Sequence, residues 1–348
     1  MPSTLALSLP AKGAPFTPTT IQRRPLRQND VRIDIKFCGV CHTDLHFGHD
    51  DWGGTLFPLV PGHEITGVVS EVGEAVTEFE VGDRVGVGCM VNSCGECAPC
   101  ASGEEQYCTE GFVKTYSARD HDGTVTAGGY SQSIVVVDRF VLRIPDELEL
   151  AGAAPLLCAG VTVYSPLRHW HAGPGMKVGV LGMGGLGHLG VKIAAAMGAE
   201  VTLLGRSAEK ENDALSFGAA RFVNTRESAE LAAFTGHFDL LVNTVPARLD
   251  QDAYLALLGL GGTLVNVGAP GDPVVSYNVF SLLGARRAIA GSSIGGIGET
   301  QDMLDFCAKH QITSEIEVIS ADRVPEAWEN LSGARYRYVI DMATLGTP

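Results

Sequence analysis

What the chain lacks narrows its class first. In 348 residues no apolar run reaches the roughly 18 residues that a membrane-spanning helix needs. Positive charge is scarce, with 25 Lys+Arg against 40 Asp+Glu and a formal net charge of −15. That balance opposes non-specific binding to nucleic-acid phosphates and to anionic membrane surfaces, while leaving room for a local basic patch to hold one phosphorylated ligand. The opening stretch, Met1 to Gly13, lacks the basic-then-apolar order of a signal peptide. Repeats, low-complexity tracts and a disordered linker are missing too. With 45% hydrophobic and 19% charged residues, what remains is an ordinary soluble protein long enough for two domains with proper cores. The nine cysteines, an odd number that falls mostly to metal ligation, indicate a reducing cytosol and a cytoplasmic location.

The texture changes along the chain. Val31, Ile33, Ile35 and Phe37 alternate with polar neighbours, the period of a half-buried strand. Similar short runs, Val85–Val87 and Ser133–Val137, separated by glycine-rich turns, suggest a small barrel. Near residue 158 strand–helix alternation takes over. Val178–Leu181, Val201–Leu204, Leu240–Thr244 and Thr263–Val267 read as buried strands of a parallel sheet, and Leu186–Met197 as a helix. A helix from Thr300 to His310 follows, with Cys307 on its apolar face beside Met303 and Leu304, and more strand pattern after it.

Cys94, Cys97, Cys100 and Cys108 lie within one short stretch. Four thiolates so close suit a metal rather than disulfides. An iron–sulfur run of the ferredoxin kind needs its fourth cysteine three residues after the third, followed by proline. Here the gap holds seven residues and Thr109 follows Cys108, so the spacing predicts zinc. With every position taken by protein sulfur, that zinc is structural.

Gly182-Met183-Gly184-Gly185-Leu186-Gly187 follows a strand and opens a helix, the context in which this spacing of glycines binds a dinucleotide. Gly182 permits the tight turn, Gly184 admits the pyrophosphate to the backbone, and Gly187 allows close helix–sheet packing. The helix start offers free N–H groups and the positive end of its dipole. About twenty residues on, an NAD site places Asp or Glu against the ribose hydroxyls. This chain has Gly205-Arg206-Ser207 there and Lys210 shortly after, which removes repulsion toward a 2′-phosphate and supplies cations to pair with it, so NADP is expected. Glu209 and Glu211 nearby can blunt that preference, and a merely solvated helix start is the plain alternative.

A second set of soft ligands is scattered. Cys41 sits in Cys38-Gly39-Val40-Cys41-His42-Thr43-Asp44, His63 in Pro61-Gly62-His63-Glu64, and Cys158 in Leu156-Leu157-Cys158-Ala159-Gly160. Spacing alone does not join them, and a single buried cysteine is usually inert. With the four-cysteine lobe, the glycine loop and the C-terminal stretches Gly291–Gly296 and Tyr336–Asp341, however, these segments make the chain resemble the zinc-containing medium-chain alcohol dehydrogenases over essentially its whole length. The likeness is greatest to the cinnamyl alcohol dehydrogenase branch and its bacterial NADPH-dependent aldehyde reductases. Gly205 and Arg206 depart from the branch's usual run of serines or threonines; the arginine compensates chemically.

The resemblance implies an α/β protein made of a GroES-like β-barrel catalytic domain and a Rossmann doubly wound parallel-sheet domain. Residues 1–157 with 296–348 form the first, carrying both zinc sites, and 158–295 the NADP-binding second. It implies two zincs per chain and hydride transfer between NADP(H) and primary alcohols or aldehydes, aliphatic or aromatic. Cys41, His63 and Cys158 hold the catalytic zinc and leave its fourth position to water, alcohol or aldehyde. Thr43 relays the proton by way of the cofactor ribose to His46. Asp44 either anchors the free ring nitrogen of His63 or caps a helix. Glu64 approaches the metal during ligand exchange, and Arg337 lies near the pyrophosphate and Glu64. Thr162 and Val267 join the glycine loop at the cofactor. Trp52, Cys89 and Ile294 line an apolar substrate pocket, bordered by the loop from Phe112 to Gly128. A homodimer through edge strands near Arg286–Ala290 is implied, with a tetramer also open.

Two other readings compete. A polyol or sugar-alcohol dehydrogenase using NAD calls for more hydrogen-bonding groups than Trp52, Cys89 and Ile294 offer. A catalytically silent NADP-binding protein would be signalled by loss of Cys41, His63 or Cys158, and all three are present.

Overall fold

The computed structural model describes residues 2–271, 274–331 and 335–346, which fall into two compact units. Met1–Cys158 and Gly295–Pro348 make the first and Ala159–Ile294 the second.

The first unit is organised on the strand Asp30–Gly39. Val31, Ile33 and Ile35 point inward and are buried, while the neighbouring Asp34 and Lys36 are exposed. Ile65–Val72 runs antiparallel along one edge of this strand. The other edge is shared, Ser133–Val137 taking residues 30–34 and Arg337–Asp341 taking residues 37–39. Arg84–Val87, Leu142–Arg143 and Ile316–Ser320 complete a seven-stranded sheet. The shared edge has a consequence for the site: the C-terminal strand is seated beside the segment that leads into Cys41, where Val40 N donates to Tyr338 O at 3.0 Å.

The second unit is a six-stranded, wholly parallel sheet. Across the sheet its strands run Arg221–Asn224, Glu200–Gly205, Lys177–Leu181, Phe238–Asn243, Leu258–Asn266, Ala288–Gly291. Numbered along the chain that order is 3-2-1-4-5-6, the doubly wound arrangement of a Rossmann sheet, whose crevice opens where the order reverses, between the first and fourth strands. Val178, Val180, Leu203, Leu240, Leu241 and Val242 are all fully buried, as strands covered on both faces require.

Most boundaries agree with the sequence pattern to within a residue or two. Two differ for clear reasons. The strand expected from Thr263 starts at Leu258, through a stretch containing Gly259, Gly261 and Gly262 that no periodicity marks. The helix expected from Thr300 starts at Ile297 and ends at Lys309, because Gly296 caps it and the Thr300 hydroxyl donates to Gly296 O at 2.7 Å. Cys307 is fully buried in this helix with its sulfur 3.6 Å from that of Met303. Among the described residues no single helix is long and apolar enough to cross a membrane.

Candidate active site and metal centres

The four-cysteine lobe is built from a short helix, Ala98–Ala101, and a single turn, Glu105–Tyr107. Its four ligand atoms all lie within 4.8 Å of one another. Cys94 Sγ is 3.8 Å from Cys100 Sγ and 3.5 Å from Cys108 Sγ. Zinc with Zn–S bonds of about 2.3 Å places tetrahedral sulfurs about 3.8 Å apart, so the donor set fits. Backbone amides, that of Cys100 first, pull the Cys97 thiol down to about 6, toward the thiolate a metal needs. Arg139 Nη2 braces the approach to Cys94 by donating to Asn92 Oδ1 and Ser93 O, each at 2.6 Å.

The scattered soft ligands converge as well. Cys41 precedes the helix His42–Gly48, and Cys158 follows the turn Ala154–Leu157. His63 follows Gly62, whose φ of 100° favours glycine and whose side-chain space is filled by the Tyr130 ring and Cys38. Cys41, His63, Glu64 and Cys158 are all buried, with donor atoms within 4.8 Å of one another. Cys41 Sγ and Cys158 Sγ are 4.0 Å apart. The contact with Cys158 pulls the Cys41 thiol well below its ordinary range and pushes Cys158 up. His63 Nε2 is buried without any hydrogen-bond partner. An imidazole nitrogen buried beside two sulfurs has the chemistry of a zinc ligand, since burying it unpaired otherwise costs free energy. Cys89 reaches the same cluster through a hydrogen bond with Cys158, which lowers its thiol.

Asp44 is fully buried beside the cluster. Its Oδ2 accepts from Cys41 N at 2.9 Å, closing the helix start, and its Oδ1 accepts from Gly62 N at 3.1 Å. The same Oδ1 is 3.7 Å from His63 Nδ1, an electrostatic contact longer than a hydrogen bond. The carboxylate therefore closes the helix start and lies beside His63 without a hydrogen bond to its ring. Glu64 is ion-paired to Arg337, Nη2 to Oε1 at 3.0 Å, yet no well-directed hydrogen bond reaches either carboxylate oxygen. Burial pushes Glu64 up to about 8 against the pull of Arg337. A Cβ on Gly39 would lie 2.0 Å from Glu64 Oε2, so glycine there makes the space.

Thr43 is half-buried in the helix that starts at His42. His46 Nδ1 is 2.7 Å from Asp51 Oδ2, and the Trp52 ring lies tilted against the His46 ring with centroids 4.6 Å apart. Tyr116, from the loop expected to border the substrate pocket, stacks on His63 with ring centroids 5.6 Å apart and planes 12° from parallel. Burial, then the charge of Asp44, pushes its hydroxyl well above the usual phenol range. Nothing in the sequence marks Tyr116, because an aromatic in a polar loop is ordinarily just a local anchor. Ile294 lies in the second unit with φ of 39°.

In the second unit the glycine loop joins Lys177–Leu181 to the helix Gly187–Ala196. Gly182 has φ of 85°, and a Cβ on Gly187 would lie 1.9 Å from Gly182 O. At Gly184 a Cβ would meet nothing within 4 Å. The loop therefore leaves an open cradle at Gly184 while Gly182 and Gly187 are held by close backbone packing, which fits a pyrophosphate against the amides of Gly185, Leu186 and Gly187. Arg206 and Ser207 are exposed at the end of Glu200–Gly205 with no carboxylate between them and the strand. Lys210 Nζ donates to Met183 O at 2.8 Å, reaching back to the loop. Val267 N donates to Asn243 O at 3.0 Å, tying two strand ends together, and Thr162 is buried in the helix Ala159–His169.

With this geometry in hand, likeness to known proteins is specific. A family model of the alcohol dehydrogenase GroES-like domain matches residues 27–146, and one of the zinc-binding dehydrogenases matches residues 185–309. The chain is 58% identical over 344 residues to "Probable formaldehyde dehydrogenase AdhA" of Bacillus subtilis, covering 98% of each. It is 56% identical over 334 residues to "NADP-dependent alcohol dehydrogenase C 1" of Mycolicibacterium smegmatis, covering 95% of each. It superposes on the crystal structure of a cinnamyl alcohol dehydrogenase from Helicobacter pylori complexed with NADP(H), with a TM-score of 0.91, 41% identity and 98% of each chain covered. The two ligand clusters, the Rossmann sheet and these relatives together show that the chain belongs to the zinc-containing medium-chain alcohol dehydrogenases, in the cinnamyl alcohol dehydrogenase branch.

Proposed function

We propose that this chain is a zinc- and NADP(H)-dependent alcohol dehydrogenase that interconverts primary alcohols and aldehydes, working chiefly as an aldehyde reductase. The observation that carries the reading is the buried convergence of Cys41, Cys158 and His63, with Nε2 of the histidine buried and outside any well-directed hydrogen bond. When bound, zinc supplies Lewis-acid polarisation of the substrate oxygen and NADP(H) supplies the hydride acceptor or donor. Two thiolates and one neutral imidazole would balance the ion's two positive charges, so the metal and its three ligands together would carry no net charge. Glu64 and Arg337 form a close pair at the same depth. Thr43 passes the proton, and His46, steadied by Asp51, exchanges it with solvent. Trp52 and Cys89 give the substrate side of the first unit an apolar surface, suited to medium-sized aliphatic or aromatic aldehydes.

In the second unit the amides after Gly184 bind the pyrophosphate, Arg206 and Ser207 bind the 2′-phosphate, and Lys210 braces the loop through Met183. The NADP named in two of the relatives supports this choice. A homodimer is supported by the edge strand Ala288–Gly291 and the exposed Val279, Phe280 and Leu283 beside it in sequence. A cytoplasmic setting suits two clusters of reduced cysteines.

Initial rates of NADPH and NADH oxidation, measured in parallel with benzaldehyde, test the proposal. A rate with NADPH at least about tenfold above that with NADH is expected, since tenfold corresponds to only about 1.4 kcal/mol of discrimination. Equal or NADH-favoured rates would overturn the cofactor assignment and favour the polyol reading.

A further inference from the structure

Asp44 is held by more than the two turns it caps. A third donor reaches it from a distant part of the chain, because Tyr130 Oη donates to Asp44 Oδ2 at 3.3 Å. Tyr130 Oη in turn accepts from Trp328 Nε1, also at 3.3 Å. An indole N–H can only donate. The tyrosine oxygen must therefore accept from Trp328, and its single proton is left for Asp44. The relay Trp328 to Tyr130 to Asp44 has one possible direction. Tyr130 is fully buried and Trp328 is 9% exposed, so water does not readily replace either group.

The backbone around Tyr130 reinforces the side chain. Gly128 N, Gly129 N and Tyr130 N donate to Val60 O, Gly62 O and Pro61 O at 2.8, 2.9 and 3.0 Å. This zips the 128–130 segment to the turn that delivers His63. The buried Arg23 fixes the same segment from behind, donating to Ala127 O, Gly128 O, Ser133 O and Ser131 Oγ at 2.6 to 3.0 Å. All four acceptors are neutral oxygens, so the guanidinium acts here as a geometric clamp rather than as half of an ion pair.

We propose that Tyr130, oriented by Trp328, is a positioning residue for the catalytic metal. Its hydroxyl steadies the Asp44 carboxylate, and its backbone steadies the Pro61–Gly62 turn, so that His63 presents Nε2 toward Cys41 and Cys158. Ligand orientation by outer hydrogen bonds commonly governs metal affinity about 10- to 100-fold. The proposal rests on the reading of Cys41, His63 and Cys158 as a zinc site.

The test is competition for zinc between the full chain and a colorimetric chelator, run on wild type, Tyr130→Phe and Trp328→Phe, with thermal unfolding and the absorption spectrum of the cobalt-substituted protein recorded alongside. Wild type is expected to give up two zincs in separable phases. In Tyr130→Phe one phase should weaken about 10- to 100-fold and the other should stay unchanged, with a changed cobalt spectrum. Trp328→Phe, which keeps the tyrosine but frees its hydroxyl to turn, should show the same selective effect at smaller size, and it carries the test alone if Tyr130→Phe does not fold. Two unchanged phases in a folded variant would overturn the proposal. So would equal weakening of both phases, which marks a general loss of stability rather than a positioning role. A wild-type protein that holds only one zinc would instead sink the zinc-site reading itself.

Discussion

The sulfurs of Cys41 and Cys158 stand 4.0 Å apart although 117 positions separate them in the chain. That spacing is close to the roughly 3.8 Å between two thiolates on one tetrahedral zinc. The strand Asp30–Gly39 delivers the first and the turn Ala154–Leu157 the second, so the pair depends on tertiary structure, not on a local motif.

The glycine loop makes a paired prediction. Gly184→Ala adds a methyl in open space, so it should leave thermal stability unchanged and raise KM for NADPH roughly tenfold or more, a loss of about 1.4 kcal/mol. Gly187→Ala forces a methyl onto Gly182 O and should destabilise the protein by about 1–3 kcal/mol in chemical denaturation. The same KM change for both variants, or none for Gly184→Ala, would contradict the cradle assigned to Gly184.

Arg206 should set the choice of cofactor. Replacing it by Ala removes a charge-assisted contact of about 1.5–3 kcal/mol. The expected result is a drop of roughly tenfold to hundredfold in kcat/KM for NADPH, with NADH rates nearly unchanged. An equal drop for both cofactors would place the arginine outside the 2′-phosphate site.

Buried charge gives a stability prediction. Arg337→Leu leaves Glu64 in the interior without its partner at 3.0 Å, and above about pH 8, where Glu64 is ionised, breaking such a pair costs about 3–5 kcal/mol. The double variant Arg337→Leu/Glu64→Leu should recover much of that loss, because the uncompensated carboxylate is gone. Urea unfolding of the two variants against wild type reads the difference directly.

The four-cysteine lobe also has a mechanical partner. Glu105 Oε2 accepts from Ile297 N at 3.0 Å, so the lobe holds the first turn of the helix Ile297–Lys309. Cys100→Ala should cost one zinc per chain and expose residues 94–108 to proteolysis, while the Cys41 cluster keeps its metal. Zinc content and limited digestion check both parts.

How much of this was legible in the sequence depends on range. The four-cysteine lobe could be read because its ligands are local and their spacing alone separates zinc from an iron–sulfur run. The glycine loop could be read because strand, turn and helix follow one another. The central strands of the parallel sheet announce themselves as apolar runs, whereas Arg221–Asn224 and Ala288–Gly291 lie at its two edges, half exposed and short, and carry no such signal. Cys41, His63 and Cys158 could be joined only through resemblance, since nothing in their separate contexts predicts that they meet. Tyr130 and Trp328 are 198 positions apart and meet through a hydrogen bond and an edge-on ring contact, a relation that no periodicity or spacing encodes.

Zinc content and benzaldehyde reduction by NADPH, measured together on wild type and Cys158→Ala, test the central claim most directly. Two ligand clusters predict two zincs in wild type; the variant should hold one and show no measurable turnover while remaining folded. A folded Cys158→Ala protein that keeps both zincs, or that turns over at the wild-type rate, would contradict the assignment of Cys41, His63 and Cys158 as the catalytic centre.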